Sequence, residues 1–155
     1  MFEQLNDLAR FDIHSIEQPV KAGQWDLMNE VCHKSKIPVA LDEELIGIIE
    51  SKQEDLLLKT ISPAFLILKP GLLGGFSRCN NWIKRANKLS IGYWITSALE
   101  SNIGLNAIAQ YTSTLPVVIP QGLGTGQLYE NNFESPLEIE SGSLHYRYGK
   151  KWKVA

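Results

Sequence analysis

The stretch Phe65-Leu66-Ile67-Leu68-Lys69-Pro70-Gly71-Leu72-Leu73-Gly74-Gly75 decides the fold. Its first four residues are apolar, which is typical of a strand buried on both faces in a parallel sheet. The strand ends at Lys69, whose ammonium group is costly to desolvate without a partner. The glycines after it allow the backbone to turn sharply or to approach a ligand closely. The simpler alternative is a lysine that extends into solvent from a strand end.

Three further short apolar segments end in the same way, at Glu17, Asp42 and Thr96. Glu17, Asp42, Lys69 and Thr96 follow one another at intervals of 25, 27 and 27 residues. A strand, a loop, a helix and a return loop fit in about that length. The carboxyl ends of successive parallel strands carry the active site of a (β/α) barrel. The spacing therefore predicts an α/β fold that is part of a TIM barrel.

Helical periodicity fills the intervals between the predicted strands. The first eleven residues read as the tail of a helix, and Ser51 to Glu54 has the pattern of a capping box. The predicted strands cover residues 13–17, 37–42, 65–69, 91–96 and 116–120, and the predicted helices cover residues 25–34, 51–62, 76–89 and 103–111.

These elements amount to about four and a half strand–helix units in 155 residues, whereas a whole (β/α)8 barrel needs about 250 residues. We therefore expect residues 1–127 to form roughly the C-terminal half of a barrel, beginning in the middle of the fold. Residues 128–155 contain turn residues and short β-like pieces, and we expect them to form a short irregular extension. A half barrel has two open sheet edges, which invite pairing with another chain.

The composition narrows the classes of function. The net charge of −2 gives no support for nucleic-acid binding. Cys32 and Cys79 lie far apart, which predicts neither a disulfide framework nor a metal cluster and fits a reducing cytoplasm. The sequence has no run long enough to span a membrane and no signal-peptide pattern at its start. We therefore expect a cytoplasmic protein.

Five motifs in order along the chain resemble the enolase superfamily, in its muconate-lactonising branch and most closely its o-succinylbenzoate synthases. They are Ser-Ile-Glu-Gln-Pro at residues 15–19, Val-Ala-Leu-Asp-Glu at 39–43, Ile-Leu-Lys-Pro at 67–70 with Gly-Gly at 74–75, Thr-Ser-Ala-Leu-Glu-Ser-Asn-Ile-Gly-Leu-Asn at 96–106, and Gln-Gly-Leu-Gly-Thr at 121–125. Each motif alone is weak, but the set at barrel spacing is specific for the superfamily.

The resemblance implies removal of a proton alpha to a carboxylate, with Mg2+ and a lysine stabilising the resulting enediolate. It implies that Glu17 and Asp42 are metal ligands and that Lys69 is the catalytic residue. It also implies a set of substrate-binding residues, namely Thr96, Ser97, Gly122 and Leu123. The implied reaction is the dehydration of a succinyl-hydroxycyclohexadiene carboxylate in menaquinone biosynthesis.

The sequence also departs from the superfamily pattern. The superfamily has a Lys-x-Lys motif and a further aspartate ligand on earlier strands, and neither motif is in this sequence. We therefore expect the isolated chain to be inactive. Glu44 stands where distant relatives often have serine.

Other functions and roles stay open. The chain could be a dipeptide epimerase or N-acylamino acid racemase of the same superfamily. It could also be an inactive fragment, or a half barrel that needs the N-terminal half or a second copy. Glu17 could be an acid at a helix start, and Asp42 could be solvated beside Glu43 and Glu44. We expect Glu100 to close a capping box with Ser97.

Overall fold

The computed structural model describes residues 1–124 and 128–153. Helices separate the strands through the first 113 residues, and a β-hairpin follows. The helices are α1 (Phe2–Ala9), α2 (Trp25–Lys34), α3 (Ser51–Ile61), α4 (Pro70–Leu73), α5 (Phe76–Lys88) and α6 (Asn102–Ser113); the strands are β1 (Ile16–Glu17), β2 (Val39–Leu41), β3 (Phe65–Leu68), β4 (Gly92–Ile95), β5 (Leu137–Glu140) and β6 (Ser143–Tyr146); a 3-10 turn covers Glu43–Leu45.

The strands β1 to β4 form one parallel sheet in the order of the sequence. Each strand pairs with the next strand in the sequence, and a helix lies between them in the chain. The predicted order of strands and helices is therefore confirmed for these four strands. Parallel strands in sequential order require a crossover on each connection, and α2, α3 and α5 supply these crossovers.

One face of the sheet packs against the helices. Leu66, Leu68 and Ile95 are fully buried there in a single hydrophobic cluster. Trp82 of α5 is also fully buried in that cluster, on the helix face that the periodicity predicts. Burial of these side chains is the main favourable contribution to the stability of the layer.

The first and the last predicted strands differ from the structure. The strand β1 has two residues rather than the five predicted, and it pairs with β2. Residues 116–120 form no strand, and Val118 is almost fully exposed. Pro116 and Pro120 lack the N–H that a ladder needs. Pairing with β4 resumes only at Gly122, which forms a parallel bridge with Thr96.

The predicted capping box at the start of α3 is wrong. The N-cap is Glu50, and Ser51 is already the first helical residue. Glu54 is instead fully buried and forms ion pairs with Arg78 and Arg85 of α5. This acid therefore joins two neighbouring helices, which the local sequence pattern does not reveal.

The region after residue 127 contains an antiparallel hairpin of β5 and β6. Arg147 pairs with both Glu138 and Glu140, and Lys150 pairs with Glu138. The predicted boundary between residues 127 and 128 adjoins residues 125–127, which lie outside the described part of the chain. Within the described residues, no helix combines the length and the apolar character needed to cross a bilayer.

The helix α3 offers a matched test of the core. Leu58 is 1% exposed, whereas Leu56 on the same helix is 57% exposed. We expect Leu58→Ala to lower the free energy of unfolding by about 2–5 kcal/mol, because it removes buried methyl groups and leaves a cavity. We expect Leu56→Ala to change it by less than about 0.5 kcal/mol. Urea unfolding followed by circular dichroism measures both, and equal effects would contradict the packing described here.

Candidate active site

The register of the sheet places the polar strand ends on one face. Glu17 pairs with Ala40, Ala40 with Phe65, and Phe65 with Gly92, so these four residues share a face. Because side chains alternate along a strand, positions two or four residues further on lie on that same face.

Asp42, Lys69 and Thr96 occupy such positions, two residues after Ala40, four after Phe65 and four after Gly92. Together with Glu17 they lie at the carboxyl end of the sheet, on the face opposite the helices. The structure therefore brings Glu17, Asp42 and Lys69 together, as the sequence predicted.

Lys69 lies between the two acids. Its ammonium group donates a hydrogen bond to Oδ2 of Asp42 and is 3.9 Å from Oε1 of Glu17. The Asp42 side chain is 2% exposed and that of Lys69 is 22% exposed, whereas Glu17 is 55% exposed. Lys69 thus compensates a buried charge and does not extend freely into solvent, which was the simpler alternative.

The pKa of Glu17 is raised above its usual value. The largest cause is partial burial, which disfavours the charged form. The next causes are a hydrogen bond to Asp42 and repulsion from its charge, and Lys69 acts in the opposite direction. Two carboxylates this close repel each other when both are charged. A cation bound between them would therefore be stabilised by both.

The predicted substrate-binding residues lie next to this group, but their polar atoms are partly used by the fold. The hydroxyl of Thr96 donates to the carbonyl of Gly122 at 2.8 Å, and the hydroxyl of Ser97 donates to the same carbonyl at 3.2 Å. A Cβ at position 122 would collide with Thr96, so only glycine permits this approach. Leu123 is half-buried and packs against the core. Thr125, from the last motif, lies outside the described residues.

The predicted capping box of Ser97 and Glu100 is wrong. The helix α6 begins at Asn102 with Ser101 as its N-cap, so Ser97 and Glu100 precede the helix. Glu100 instead lies against Gly71 and Gly104, where any larger side chain would meet its atoms at 2.7–2.8 Å. Its Oε2 atom is buried without a hydrogen bond within the described residues.

The site face is open rather than enclosed. His14, Phe65 and Trp94 form an aromatic cluster on it, with ring centroids 4.7–6.1 Å apart. A cavity of about 360 Å³ lies beside Trp94 and is lined also by His14 and Ile119. A larger cavity of about 630 Å³ lies between α6 and the β5–β6 hairpin, and none of the predicted site residues line it. The size of a cavity therefore does not identify the site, because the four strands form only part of the barrel wall that would enclose it.

One polar residue of the site belongs to the first sequence motif, which predicts no role for it. Gln18 follows Glu17 directly, and its side-chain oxygen accepts a hydrogen bond from the backbone N–H of Asp42 at 3.0 Å. The only sequence signal is an amide between an acid and a proline. That signal does not show which neighbour the amide contacts.

Comparison with known proteins identifies the family of this chain. Residues 2–149 match the family described as enolase C-terminal domain-like. The chain belongs to this family. The match covers nearly the whole chain and confirms the superfamily resemblance carried by the five motifs.

Two curated members of the enolase superfamily are similar to this chain. An o-succinylbenzoate synthase from Desulfotalea psychrophila is 51% identical over 142 residues, covering 92% of this chain and 38% of the relative. An L-Ala-D/L-amino acid epimerase from a Maribacter species is 30% identical over 115 residues, covering 74% of this chain and 33% of the relative. The chain thus spans between about a third and two fifths of the length of these relatives.

Solved structures of enolase-family proteins agree with the fold. MenC from Desulfotalea psychrophila superposes with a TM-score of 0.89 at 50% identity, covering 92% of this chain and 40% of that protein. The muconate lactonizing enzyme from Pseudomonas putida superposes with a TM-score of 0.81 at 21% identity, again over 92% and 40%. The predicted fold class, a partial TIM barrel corresponding to its C-terminal half, is therefore confirmed.

The buried ion pair of Lys69 and Asp42 predicts strong coupling between the two side chains. Lys69→Met leaves the buried Asp42 carboxylate without its cation, whereas Asp42→Asn removes that charge. We expect the double variant to be more stable than the sum of the single changes predicts, with a coupling free energy of about 1–3 kcal/mol. Urea unfolding of the four proteins in metal-free buffer measures this value.

The solvent-exposed pair of Glu30 and Lys34, one turn apart on α2, is the matched control. The corresponding cycle with Glu30→Gln and Lys34→Met should give less than about 0.5 kcal/mol, because water screens that pair. A coupling at Lys69 and Asp42 no larger than this control would contradict the burial of the pair.

Proposed function

We propose that this chain carries half of the active site of an o-succinylbenzoate synthase-like lyase. The observation that supports this most directly is the convergence of Glu17, Asp42 and Lys69 on one face at the carboxyl end of the sheet. The 51% identity to the synthase from Desulfotalea psychrophila supports the choice of reaction. The substrate would be a succinyl-hydroxycyclohexadiene carboxylate, which loses a proton alpha to its carboxylate and then water.

The residues present fit a magnesium ion. Members of the enolase superfamily generally use Mg2+, and Mg2+ prefers oxygen ligands. Glu17 and Asp42 would supply carboxylate oxygens from adjacent strand ends. The pKa of Glu17 is raised mainly by burial, and the hydrogen bond to Asp42 and repulsion from its charge raise it further. Among the residues that the structure describes, no group of three or more acidic, histidine or cysteine side chains is arranged around a common metal position. Two protein ligands would therefore come from this chain.

The bound ion would supply positive charge that stabilises negative charge on the substrate carboxylate. Lys69 would add a second positive charge from the same face. Its ammonium group is held by Asp42 and lies near Glu17, so it is oriented before substrate arrives. Preoriented charge of this kind stabilises developing negative charge without a further cost of reorganisation. We assign Lys69 the role of electrostatic partner in the dehydration, and of acid or base if the reaction is an epimerisation.

Thr96, Ser97, Gly122 and Leu123 would border the substrate. The hydrogen bonds from Thr96 and Ser97 to the Gly122 carbonyl hold two loops together at the carboxyl end of β4. In this arrangement the loops would present backbone groups to a substrate carboxylate, which could approach Gly122 closely because glycine has no side chain. The hydroxyl protons of Thr96 and Ser97 are already used in hydrogen bonds within the protein.

We propose further that the isolated chain is inactive and works with the remaining part of the barrel in the cytoplasm. The chain spans 38% of the length of the synthase from Desulfotalea psychrophila. The open aromatic face around Phe65 and Trp94 is the surface that the rest of a barrel would cover. That complement would be an N-terminal half barrel, or a second copy of this chain at the open edges. Residues 1–127 would form the barrel part, and residues 128–155 would form the extension.

The relationship to an epimerase supports a second candidate. The Maribacter relative is named an L-Ala-D/L-amino acid epimerase, and it is 30% identical to this chain. Both reactions begin with removal of an alpha proton, so Glu17, Asp42 and Lys69 would serve either. A dipeptide epimerase or N-acylamino acid racemase would exchange the substrate alpha hydrogen for deuterium in D2O without loss of water.

The test is a chimera that joins the N-terminal part of the Desulfotalea psychrophila synthase to this chain. We expect the chimera to dehydrate the succinyl-hydroxycyclohexadiene carboxylate in the presence of Mg2+, and the isolated chain to show no turnover. Lys69→Ala in the chimera should lower kcat by about 100-fold or more, because it removes preoriented positive charge at the reacting carboxylate.

The native synthase assayed in parallel controls for substrate and metal quality. A folded chimera without dehydration would contradict the synthase assignment. Deuterium exchange of a dipeptide by the same chimera would then favour the epimerase. Turnover by the isolated chain would contradict the need for a complement.

A further inference from the structure

A network of hydrogen bonds lies directly behind the two acids. It joins the loop after β1 to the 3-10 turn after β2 through the side chains of Gln18 and Glu44. Gln18 follows Glu17 in sequence, and Glu44 lies two residues after Asp42. We refer to the Gln18 amide, the Glu44 carboxylate and their hydrogen bonds as the clamp.

The Gln18 amide uses both of its ends. Its oxygen accepts from the backbone N–H groups of Asp42 at 3.0 Å and Glu44 at 3.3 Å. Its nitrogen donates to the carbonyl of Val20 at 2.9 Å and to Oε2 of Glu44 at 3.2 Å. Two donors at one end and two acceptors at the other fix the orientation of the amide.

The Glu44 carboxylate is held by neutral donors at both oxygens. Its residue is 4% exposed. Its Oε1 accepts from the backbone N–H of Gly23 at 2.8 Å and from the indole N–H of Trp25 at 2.7 Å. Trp25 is the first residue of α2, so the carboxylate also lies at the positive end of that helix. Glu44 therefore links the start of α2, the loop after β1 and the turn after β2.

The sheet by itself fixes the end of β1 weakly. The β1–β2 ladder has only two residue pairs, Ile16 with Val39 and Glu17 with Ala40. Gln18 has a φ of +38°, a left-handed conformation that costs a non-glycine residue of order 1–3 kcal/mol and persists only where surrounding contacts impose it. One such contact is the backbone hydrogen bond from the Gln18 N–H to the Ala40 carbonyl at 2.9 Å, and the clamp supplies the others. The relative position of Glu17 and Asp42 thus depends on side-chain hydrogen bonds as well as on the ladder.

We propose that Gln18 and Glu44 are positioning residues that set the separation of the Glu17 and Asp42 carboxylates and so determine the affinity of the site for a divalent cation. This inference rests on the cation site proposed above. Hydrogen-bonded groups behind metal ligands typically change metal affinity 10–100-fold when they are altered. Neither residue touches the substrate or the cation in this proposal.

The clamp can be broken without a change of shape. Glu44→Gln places an amide nitrogen opposite either the Gln18 amide nitrogen or the N–H donors of Gly23 and Trp25, so a donor faces a donor. Gln18→Met removes the amide from the other side at similar length. Glu43→Gln is the matched control, because Glu43 is an exposed neighbour and loses the same charge.

The experiment measures Mn2+ binding to the full chain by electron paramagnetic resonance at physiological ionic strength. We expect the dissociation constant to rise about 10–100-fold in Glu44→Gln and in Gln18→Met. We expect a change below about threefold in Glu43→Gln, because salt screens an exposed charge. Faster hydrogen exchange of either the Trp25 indole N–H or the Gln18 side-chain amide in Glu44→Gln, with an otherwise native spectrum, would report the lost bond in a folded protein.

Different outcomes separate this inference from the proposed function. Asp42→Asn should abolish the Mn2+ binding of the parent chain; if it does not, the cation site itself is contradicted and the positioning role with it. If Asp42→Asn abolishes binding but both clamp variants bind Mn2+ as tightly as Glu43→Gln, the cation site stands and the positioning role is overturned. A clamp variant that lowers the free energy of unfolding without weakening Mn2+ binding has the same meaning, because the clamp then supports the fold alone.

Discussion

The buried ion pair between Lys69 and Asp42 is the interaction on which the candidate site depends. Asp42 is almost completely removed from water, and an unpaired carboxylate in that position would be strongly destabilising. Lys69 compensates this charge and remains within 4 Å of Glu17. The pair exists because β2 and β3 are adjacent parallel strands whose carboxyl ends meet at one edge of the sheet. The register of β2 against β3 thus produces both the ion pair of Lys69 with Asp42 and the proximity of Lys69 to Glu17.

The same sheet has two unlike faces. The face with Leu66, Leu68 and Ile95 is closed by helices and provides the hydrophobic core. The opposite face carries the ionic group at its carboxyl end and the aromatic rings of Phe65 and Trp94 nearer its middle. Four strands form only part of the wall of a barrel, so this second face is open. Among the described residues, Glu17, Asp42 and Lys69 therefore lie on an open surface rather than in an enclosed cavity.

Behind the site, buried polar contacts hold together elements that are distant in the sequence. Glu44 is buried without a cationic partner among the described residues and is satisfied by Gly23, Trp25 and Gln18. Glu54 is buried between α3 and α5 and forms ion pairs with two arginines. Both acids join elements that are distant in sequence. Such contacts define one arrangement of the loops, which hydrophobic burial alone does not do because it is not directional.

The sequence by itself determined the order and type of the main elements and the grouping of Glu17, Asp42 and Lys69. Apolar strands at a regular interval indicate a parallel α/β repeat. Because side chains alternate along each strand, the polar residues at the strand ends then lie on one face. Only the tertiary structure decided that residues 116–120 form no strand, that Glu54 pairs with arginines rather than capping α3, and that Gln18 and Glu44 meet. The physical reason is that repeats and periodicity are local properties of a chain, whereas the partner of a buried polar group is chosen by residues that approach only after the sheet and helices have packed.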